Sequence, residues 1–339
     1  SGTESSFRAP WSMGSVLLAC LGSRSRGDFQ TNAQSGSERS RRLRNLPKRE
    51  RYLVNKKTCL LGISIGLALI SLVALGGSAG AWDRFTVPPI IVAALVAVSL
   101  QWIGFGVAWK MQSERFFDLV GSVTFVTVIL VSILYSRSEL GALDVALSLA
   151  VAIWAARLGS FLFVRVLKVG SDNRFDAIKR NFLWFLMTWT LQGTWVVVTA
   201  APVMAVVGDG LAQPLGVIEV FGLALWVVGL SIEVVSDSQK KKFRQEGEDS
   251  FITSGLWSRS RHPNYFGEIL LWCGLAVSTL PALEKWQLLT LISPVFVWAL
   301  LMKISGAPML EAKAKRRWGD DTRYREYVEN TPLLVPRFR

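Results

Sequence analysis

The sequence predicts an all-α, polytopic transmembrane helical bundle of about eight spans, within a range of seven to nine. Hydrophobic residues make up 51% of the chain and 14 residues are tryptophan, which places it in the membrane class. The apolar residues fall into runs long enough to cross a bilayer. The charged residues concentrate in a few loops between those runs.

Taken in order, the runs predict spans near 59–80, 86–108, 117–136, 140–163, 182–207, 215–236, 264–281 and 286–305. The first holds Gly62-x-x-x-Gly66 and ends at Gly76-x-x-x-Gly80, small-residue spacings that let helices pack closely. Glu114, Arg115 and Asp118 open the third span, Asp144 and Arg157 lie in the fourth, and Gln192 lies in the fifth. Polar groups at that depth are functional suspects. Their alternative role is to join helices, as an Asp144 or Asp118 pairing with Arg157 would.

Charge sets the orientation. Eight spans put segments 109–116, 164–181, 237–263 and 306–339 on the side of the N-terminus, and these hold most of the lysines and arginines. The opposite loops carry only Arg84, Arg137 and Lys285, beside the acidic Gly208-Asp209-Gly210. Both termini are therefore expected on the cytoplasmic, stromal or matrix side. The net charge of +13 is mostly topological, and no basic domain outside the membrane is large enough to dock a nucleic acid.

Residues 1–58 form a Ser- and Arg-rich tail, poor in acids and without a sustained apolar period, followed by a transmembrane domain over 59–339. The tail resembles a transit or disordered segment, so a plastid or mitochondrial address is one expectation. Arg41, Arg42, Arg44, Lys48, Arg49 and Arg51 read as a topogenic or lipid-facing patch. Ser1 in place of an initiator methionine suggests a fragment or processed chain.

Several cofactor classes are excluded by residue type. Cys20, Cys59 and Cys273 are too scattered for a disulfide framework or a metal site, and no metal is expected. A single histidine rules out a histidine-rich metal cluster and bis-histidine haem ligation. Neither G-x-G-x-x-G after a strand nor a P-loop occurs. Any cofactor must be held by the membrane helices and the inner loops.

Three inner segments can supply such a site. The sixth span exits through Glu233 to Arg244, where helical spacing puts Asp237, Lys240, Lys241 and Arg244 on one stripe. The second segment runs Arg259-Ser260-Arg261-His262-Pro263-Asn264-Tyr265-Phe266-Gly267-Glu268. Proline favours the first position of a helix, so His262 and both arginines precede the helix start while Asn264 and Glu268 share a face inside it. A helix N-terminus flanked by guanidiniums attracts phosphate. The third segment, Glu311 to Gly319 with Tyr324 and Tyr327 after it, would on its own pass for a surface helix, just as the first would pass for a juxtamembrane collar.

Taken together, the stripe from Asp237 to Arg244, the run Gly255-Leu256-Trp257 through Glu268, Ser305-Gly306-Ala307-Pro308-Met309-Leu310-Glu311, and Arg317-Trp318-Gly319 through Tyr327 to Thr331-Pro332 resemble the steroid 5-alpha-reductase C-terminal superfamily, DUF1295 type. The resemblance covers about residues 115–339 and is strongest over 215–339. It implies NADPH-dependent reduction of a carbon–carbon double bond in a sterol, steroid or other lipid within the membrane. Carried onto this chain, it implies that Asn264 and Glu268 hold the nicotinamide carboxamide and that Asp237, Lys240, Arg244 and Arg261 contact ribose and phosphates. His262 and Tyr265 would line the pocket, and Arg317, Tyr324 and Tyr327 would close it.

That chemistry needs a hydride donor at one alkene carbon, a proton donor near the other, and exclusion of water, which a lipid-facing cavity between spans two to five would provide. Tyr265 and Glu268 are the catalytic candidates. Glu268 lies about one turn into a span, where an unpaired charge costs on the order of 3 kcal/mol, so it needs a partner. Steroid reductases carry a Gln-Glu pair and a tyrosine in their N-terminal helices, and that pair has no clear counterpart here. Asp118 and Gln192 are the substrate-side candidates. Partners are thus a lipid-like small molecule and membrane lipids, with no protein partner indicated.

Two other classes stay open. Isoprenylcysteine and lipid methyltransferases share an Arg-His-Pro-x-Tyr-x-Gly run, but S-adenosylmethionine has no phosphate to occupy the converging cations. A non-catalytic membrane subunit keeping the fold is the third reading.

Overall fold

A computed structural model describes residues 55–136, 139–169, 175–247 and 250–337. The tail from 1 to 54, with its basic patch and Cys20, lies outside the described residues, as does Arg137. Among the described residues the chain is helical throughout.

Most of the helices start where the sequence supplies a cap or a proline. Asn55 accepts from the Lys57 N–H at 3.1 Å and so begins α1 (Lys56–Gly77) three residues before the expected start at 59. The helix ends at Gly77, with the Ser78 N–H donating to the Ala74 carbonyl at 3.1 Å, and Gly80, at φ +88°, turns the chain beyond it. Pro89 opens α2 (Pro89–Met111), and α3 spans Phe117–Ser136. In α4 (Ala142–Val169), Asp144 accepts from the N–H groups of Gly141 at 2.8 Å and Gln213 at 3.3 Å, so it caps its own helix and ties down the loop before the sixth span. Asn181 accepts from Trp184 N–H at 3.1 Å to start α5 (Phe182–Val207).

Two long helices follow, α6 (Val217–Gln245) and α7 (Pro263–Thr279), the latter opening on Pro263 as expected. The eighth span is composite: a 3₁₀ stretch Lys285–Ile292, α8 (Ser293–Ala299), a π-helical turn Leu300–Ile304, and α9 (Ala307–Trp318). A short α10 (Thr322–Asn330) is capped by Asp321.

Eight of these segments are long and apolar enough to cross a membrane, and the protein is an integral multi-pass membrane protein. Of its most apolar stretch α5 buries 94%, against 22% for α6, so α5 is the central post and the others wrap around it. Loops on alternate sides are paired in a way that suits eight alternating spans. Arg84, after α1, bonds Asp209, after α5. Glu114, after α2, accepts from Lys179, after α4, at 3.1 Å.

Glycines set the closest contacts. A Cβ on Gly62 would lie 2.5 Å from Met187 Sδ and one on Gly66 would lie 2.7 Å from Thr194 Oγ1, so the first expected pair does seat α1 on α5. A tighter contact joins α6 to α7. Gly222 and Gly229 face Gly274 and Gly267, and a Cβ on Gly229 would stand 2.5 Å from the Leu271 nitrogen and 2.7 Å from the Gly267 oxygen. The backbones of α6 and α7 touch, which brings Glu233 and Asp237 up to Asn264 and Glu268.

The middle of the bundle is aromatic. Phe125 (α3), Trp154 (α4), Trp195 (α5) and Trp272 (α7) are all buried, with Trp154 4.9 Å from Trp272 and Phe125 4.9 Å from Trp195 between ring centroids. This group fills part of the volume expected to be a lipid cavity. An apolar cavity of about 220 Å³ lies elsewhere, between α1, α5 and the 3₁₀ stretch, lined by Leu69, Leu72, Val198, Leu289 and Phe296 among others.

Candidate functional site

The α6–α7 contact organises a buried ionic group. Arg157, from α4, donates through Nη1 to Glu233 and through Nη2 to Asp237 at 2.7 Å, two carboxylates one turn apart on α6. The expected pairing of Arg157 with Asp144 or Asp118 is thereby corrected: Asp144 is committed to backbone N–H groups at the start of α4. Arg157 does join helices, but it joins α4 to the cofactor stripe. Across the glycine contact, Asn264 reaches Asp237, and Glu268 faces Glu233, Asp237 and Arg157. Trp154, one turn before Arg157, directs its indole at Glu233, so the aromatic group and the ionic group are continuous.

Lys240 extends this group outward. Its Nζ lies 4.4 Å from the centre of the Trp257 ring, and Arg244 and Asp237 are its charged neighbours. The short turn Gly255–Ser258 places that ring. Gly255 has φ +62°, Leu256 N–H donates to Gln239 Oε1 at 2.9 Å, and the Trp257 indole donates to the Ser236 carbonyl at 3.0 Å.

The histidine run is clamped on both sides. From the C-terminal segment, the Pro332 carbonyl accepts from Arg261 N–H at 2.9 Å, Leu334 accepts from Ser260 Oγ at 2.7 Å, and Arg337 N–H donates to the Arg259 carbonyl at 3.0 Å. From α9, Glu311 pairs with the Arg261 guanidinium and lies 2.9 Å from His262 Nε2. His262 stacks on Tyr265, with ring centroids 5.3 Å apart and planes 10° apart. Tyr324 and Tyr327 pack on Phe251 at 5.1 and 5.8 Å, and the Tyr327 hydroxyl donates to the Trp257 carbonyl at 2.7 Å. Arg317 is on the exposed side of α9, 5.0 Å from the Trp318 ring centre.

Four polar atoms in this short run are buried without a hydrogen-bond partner among the described residues: Arg261 Nε, His262 Nδ1, Asn264 Oδ1 and the Tyr265 hydroxyl. Unpaired buried polar atoms are costly, and four of them in five consecutive residues make this run a candidate surface for a polar ligand. An amide acceptor, a ring nitrogen, a phenol and a guanidinium N–H suit the hydroxyls, carboxamide and phosphates of a dinucleotide. The residues present therefore fit the cofactor that the resemblance implies.

The structure thus brings Asp237, Lys240, Arg261, His262, Asn264, Tyr265 and Glu268 together, with Arg244 at the outer end of the same stripe and Tyr324 and Tyr327 behind the Trp257 turn. Asp118 and Gln192 lie apart from them. Gln192 donates to the Phe117 carbonyl at 3.1 Å, close to Gly121, and Asp118 sits in the first turn of α3. Gln101, which donates to Thr124 Oγ1 at 2.9 Å, is a further buried amide on this side that sequence reasoning passed over. Glu233, Arg157 and Glu311 were also missed as members of the site. A lone arginine inside an apolar span and a glutamate one turn before Asp237 were the available signals.

Burial pushes the His262 imidazole below its ordinary range, against the pull of Glu311 and with the repulsion of Lys240 and Arg261. The neutral ring is thus favoured in the folded state, and its contribution to stability is complete above about pH 6.5 and is lost as the pH falls from there, by at most about 1.4 kcal/mol per pH unit. Unfolding of the parent between pH 7.5 and 5.5 should show this acid sensitivity, and His262→Gln should flatten it. Equal slopes in the two proteins would remove His262 from the cause.

The family model described as protein of unknown function, DUF1295, matches residues 104–331. The chain is 29% identical to 3-oxo-5-alpha-steroid 4-dehydrogenase 1 of Rattus norvegicus over 117 residues, 34% of this chain and 40% of that protein. The Macaca fascicularis protein of the same name is 30% identical over 117 residues, 34% of this chain and 39% of its own, and the Homo sapiens one 35% over 60 residues, 17% and 23%. The chain therefore matches about two fifths or less of the length of these relatives. No solved structure matches it. With two thirds of its length inside the family model, the chain belongs to the DUF1295 family of steroid 5-alpha-reductase-like membrane proteins.

Proposed function

We propose that the protein reduces a carbon–carbon double bond in a sterol, steroid or other lipid within the membrane, using NADPH. The observation that carries this reading is the run of unpartnered buried atoms at residues 261–265, set against the Arg157–Glu233–Asp237 group across the α6–α7 contact. The relatives named as steroid dehydrogenases support the reaction class.

In this reading Asn264 and Glu268 hold the nicotinamide carboxamide, Asp237 takes a ribose hydroxyl, and Lys240, Arg244 and Arg261 supply positive charge for phosphates. Bound NADPH would supply the hydride. Tyr265 is 3% exposed and its hydroxyl has no partner among the described residues, which supports it as the group that holds a proton for the second alkene carbon, with Glu268 as the other candidate. Trp154, Trp195 and Trp272 exclude water around that centre. The basic inner segments support a topology with both chain ends on the cytoplasmic, stromal or matrix face.

Arg244→Ala should weaken NADPH binding about tenfold or more through lost phosphate attraction, whereas Glu268→Gln should act mainly on turnover by disturbing nicotinamide placement. Equilibrium titration of detergent-purified parent and variants tests the first, and single-turnover oxidation of bound NADPH in the presence of lipid extract tests the second. Parent-like NADPH affinity in both variants, with unchanged turnover, would move the cofactor site elsewhere.

A further inference from the structure

His262 is the chain's one histidine, and the chemistry of its neighbour decides what it can do. A carboxylate only accepts hydrogen bonds, so the nitrogen 2.9 Å from Glu311 Oε1 must carry a hydrogen: Nε2 is the donor. In a neutral ring the other nitrogen, Nδ1, then presents a lone pair. That atom is buried and has no partner among the described residues. The ring cannot turn away easily, because it is 4% exposed and stacked on Tyr265, and its backbone N–H is tied to Ser260 Oγ at 3.2 Å. The charged groups facing it are Glu311 from α9, Arg261 from its own run and Lys240 from α6.

We propose that Glu311 is a positioning residue that fixes His262 in the Nε2–H tautomer, so that Nδ1 becomes a hydrogen-bond acceptor for a hydroxyl or amide N–H of the bound nucleotide. This rests on the NADPH reading and refines it. Phosphate oxygens only accept, so a neutral His262 facing the ligand with a lone pair takes no phosphate. Glu311 also engages the Arg261 guanidinium, which leaves the phosphate charge chiefly to Lys240 and Arg244. The histidine run then recognises the hydroxyl- and amide-bearing parts of the cofactor, and the basic stripe of α6 recognises its phosphates. Glu311 comes from a helix that the sequence presents as an ordinary basic surface helix, which gives the C-terminal segment a direct part in the site.

A single histidine allows a direct test. Protein labelled with ¹⁵N-histidine gives one imidazole, whose long-range ¹H–¹⁵N correlations report the tautomer. The parent should show Nε2–H alone at neutral pH, and NADPH should shift the Nδ1 resonance in the direction of an accepted hydrogen bond. Glu311→Ala should give a mixture of tautomers and about tenfold weaker NADPH binding, while Glu311→Gln, which can still accept through Oε1, should keep Nε2–H. An Nδ1–H or imidazolium parent, or an unchanged tautomer in a folded Glu311→Ala protein, would overturn the proposal. If NADPH binds without moving Nδ1, the acceptor role is wrong while the NADPH reading stands; if NADPH does not bind at all, that reading itself fails.

Discussion

Replacing Arg157 with alanine should destabilise the folded protein by about 3 to 5 kcal/mol, because it leaves Glu233 and Asp237 facing each other and Glu268 with no cation between them. The Arg157 side chain is 25% exposed, and breaking an ion pair that deep costs far more than the pair's net worth. Arg157→Lys should recover only part of the loss, since an ammonium cannot span two carboxylates as a fork does. The triple variant Arg157→Met, Glu233→Gln, Asp237→Asn should recover most of the stability by removing the charges together, yet should not bind NADPH as the parent does. That split separates the structural work of the group from its part in cofactor binding. Chemical unfolding in mild detergent measures it, and an Arg157→Ala protein within about 1 kcal/mol of the parent would mean that the group is solvated.

A valine at Gly229 should be nearly as damaging, by about 3 kcal/mol, at the upper end of what overpacking costs. Its Cβ alone would sit 2.5 Å from the Leu271 nitrogen and 2.7 Å from the Gly267 oxygen, and backbone atoms cannot turn aside as a flexible side chain can. The helices α6 and α7 must part, which also withdraws Asp237 from Asn264, so NADPH binding should fall together with stability. Gly106→Ala is the control. Nothing lies within 4 Å of a Cβ there, and alanine in a helix should be neutral or stabilising by up to about 1 kcal/mol. If Gly229→Val unfolds like Gly106→Ala, the backbone contact between α6 and α7 is not what holds the site together.

How much of this was legible follows from what each signal measures. Apolar run length located the spans, and the proline rule placed the start of α7 at Pro263. The expected sixth span stops at 236, where hydropathy falls, and the helix continues to Gln245 through the charged stripe, tied to Arg157 at Asp237. Periodicity identified the face that carries Asp237, Lys240 and Arg244, but a face does not name its neighbour. Arg157 and Glu233 are 76 residues apart, and only the packing order of α4 against α6 joins them. The glycines at 222, 229, 267 and 274 were in plain sight as one small residue every seven in two consecutive spans. Within one span such a pair is an ordinary small-residue spacing, and only its match with the neighbouring span marks a backbone contact. Glu311 was hidden for a different reason: among lysines and arginines on a short helix, a glutamate reads as a solvated partner for its neighbours, and its bonds to Arg261 and His262 depend on where the C-terminal segment folds back.

The most direct test of the central claim is the thermal stability of the purified parent with NADPH, NADH or S-adenosylmethionine present. A ligand at a hundred times its dissociation constant stabilises the folded state by about 2.7 kcal/mol. The account predicts a clear upward shift with NADPH and none with S-adenosylmethionine. A shift with S-adenosylmethionine alone, or no shift with any of the three in a sample shown to be folded, would contradict it.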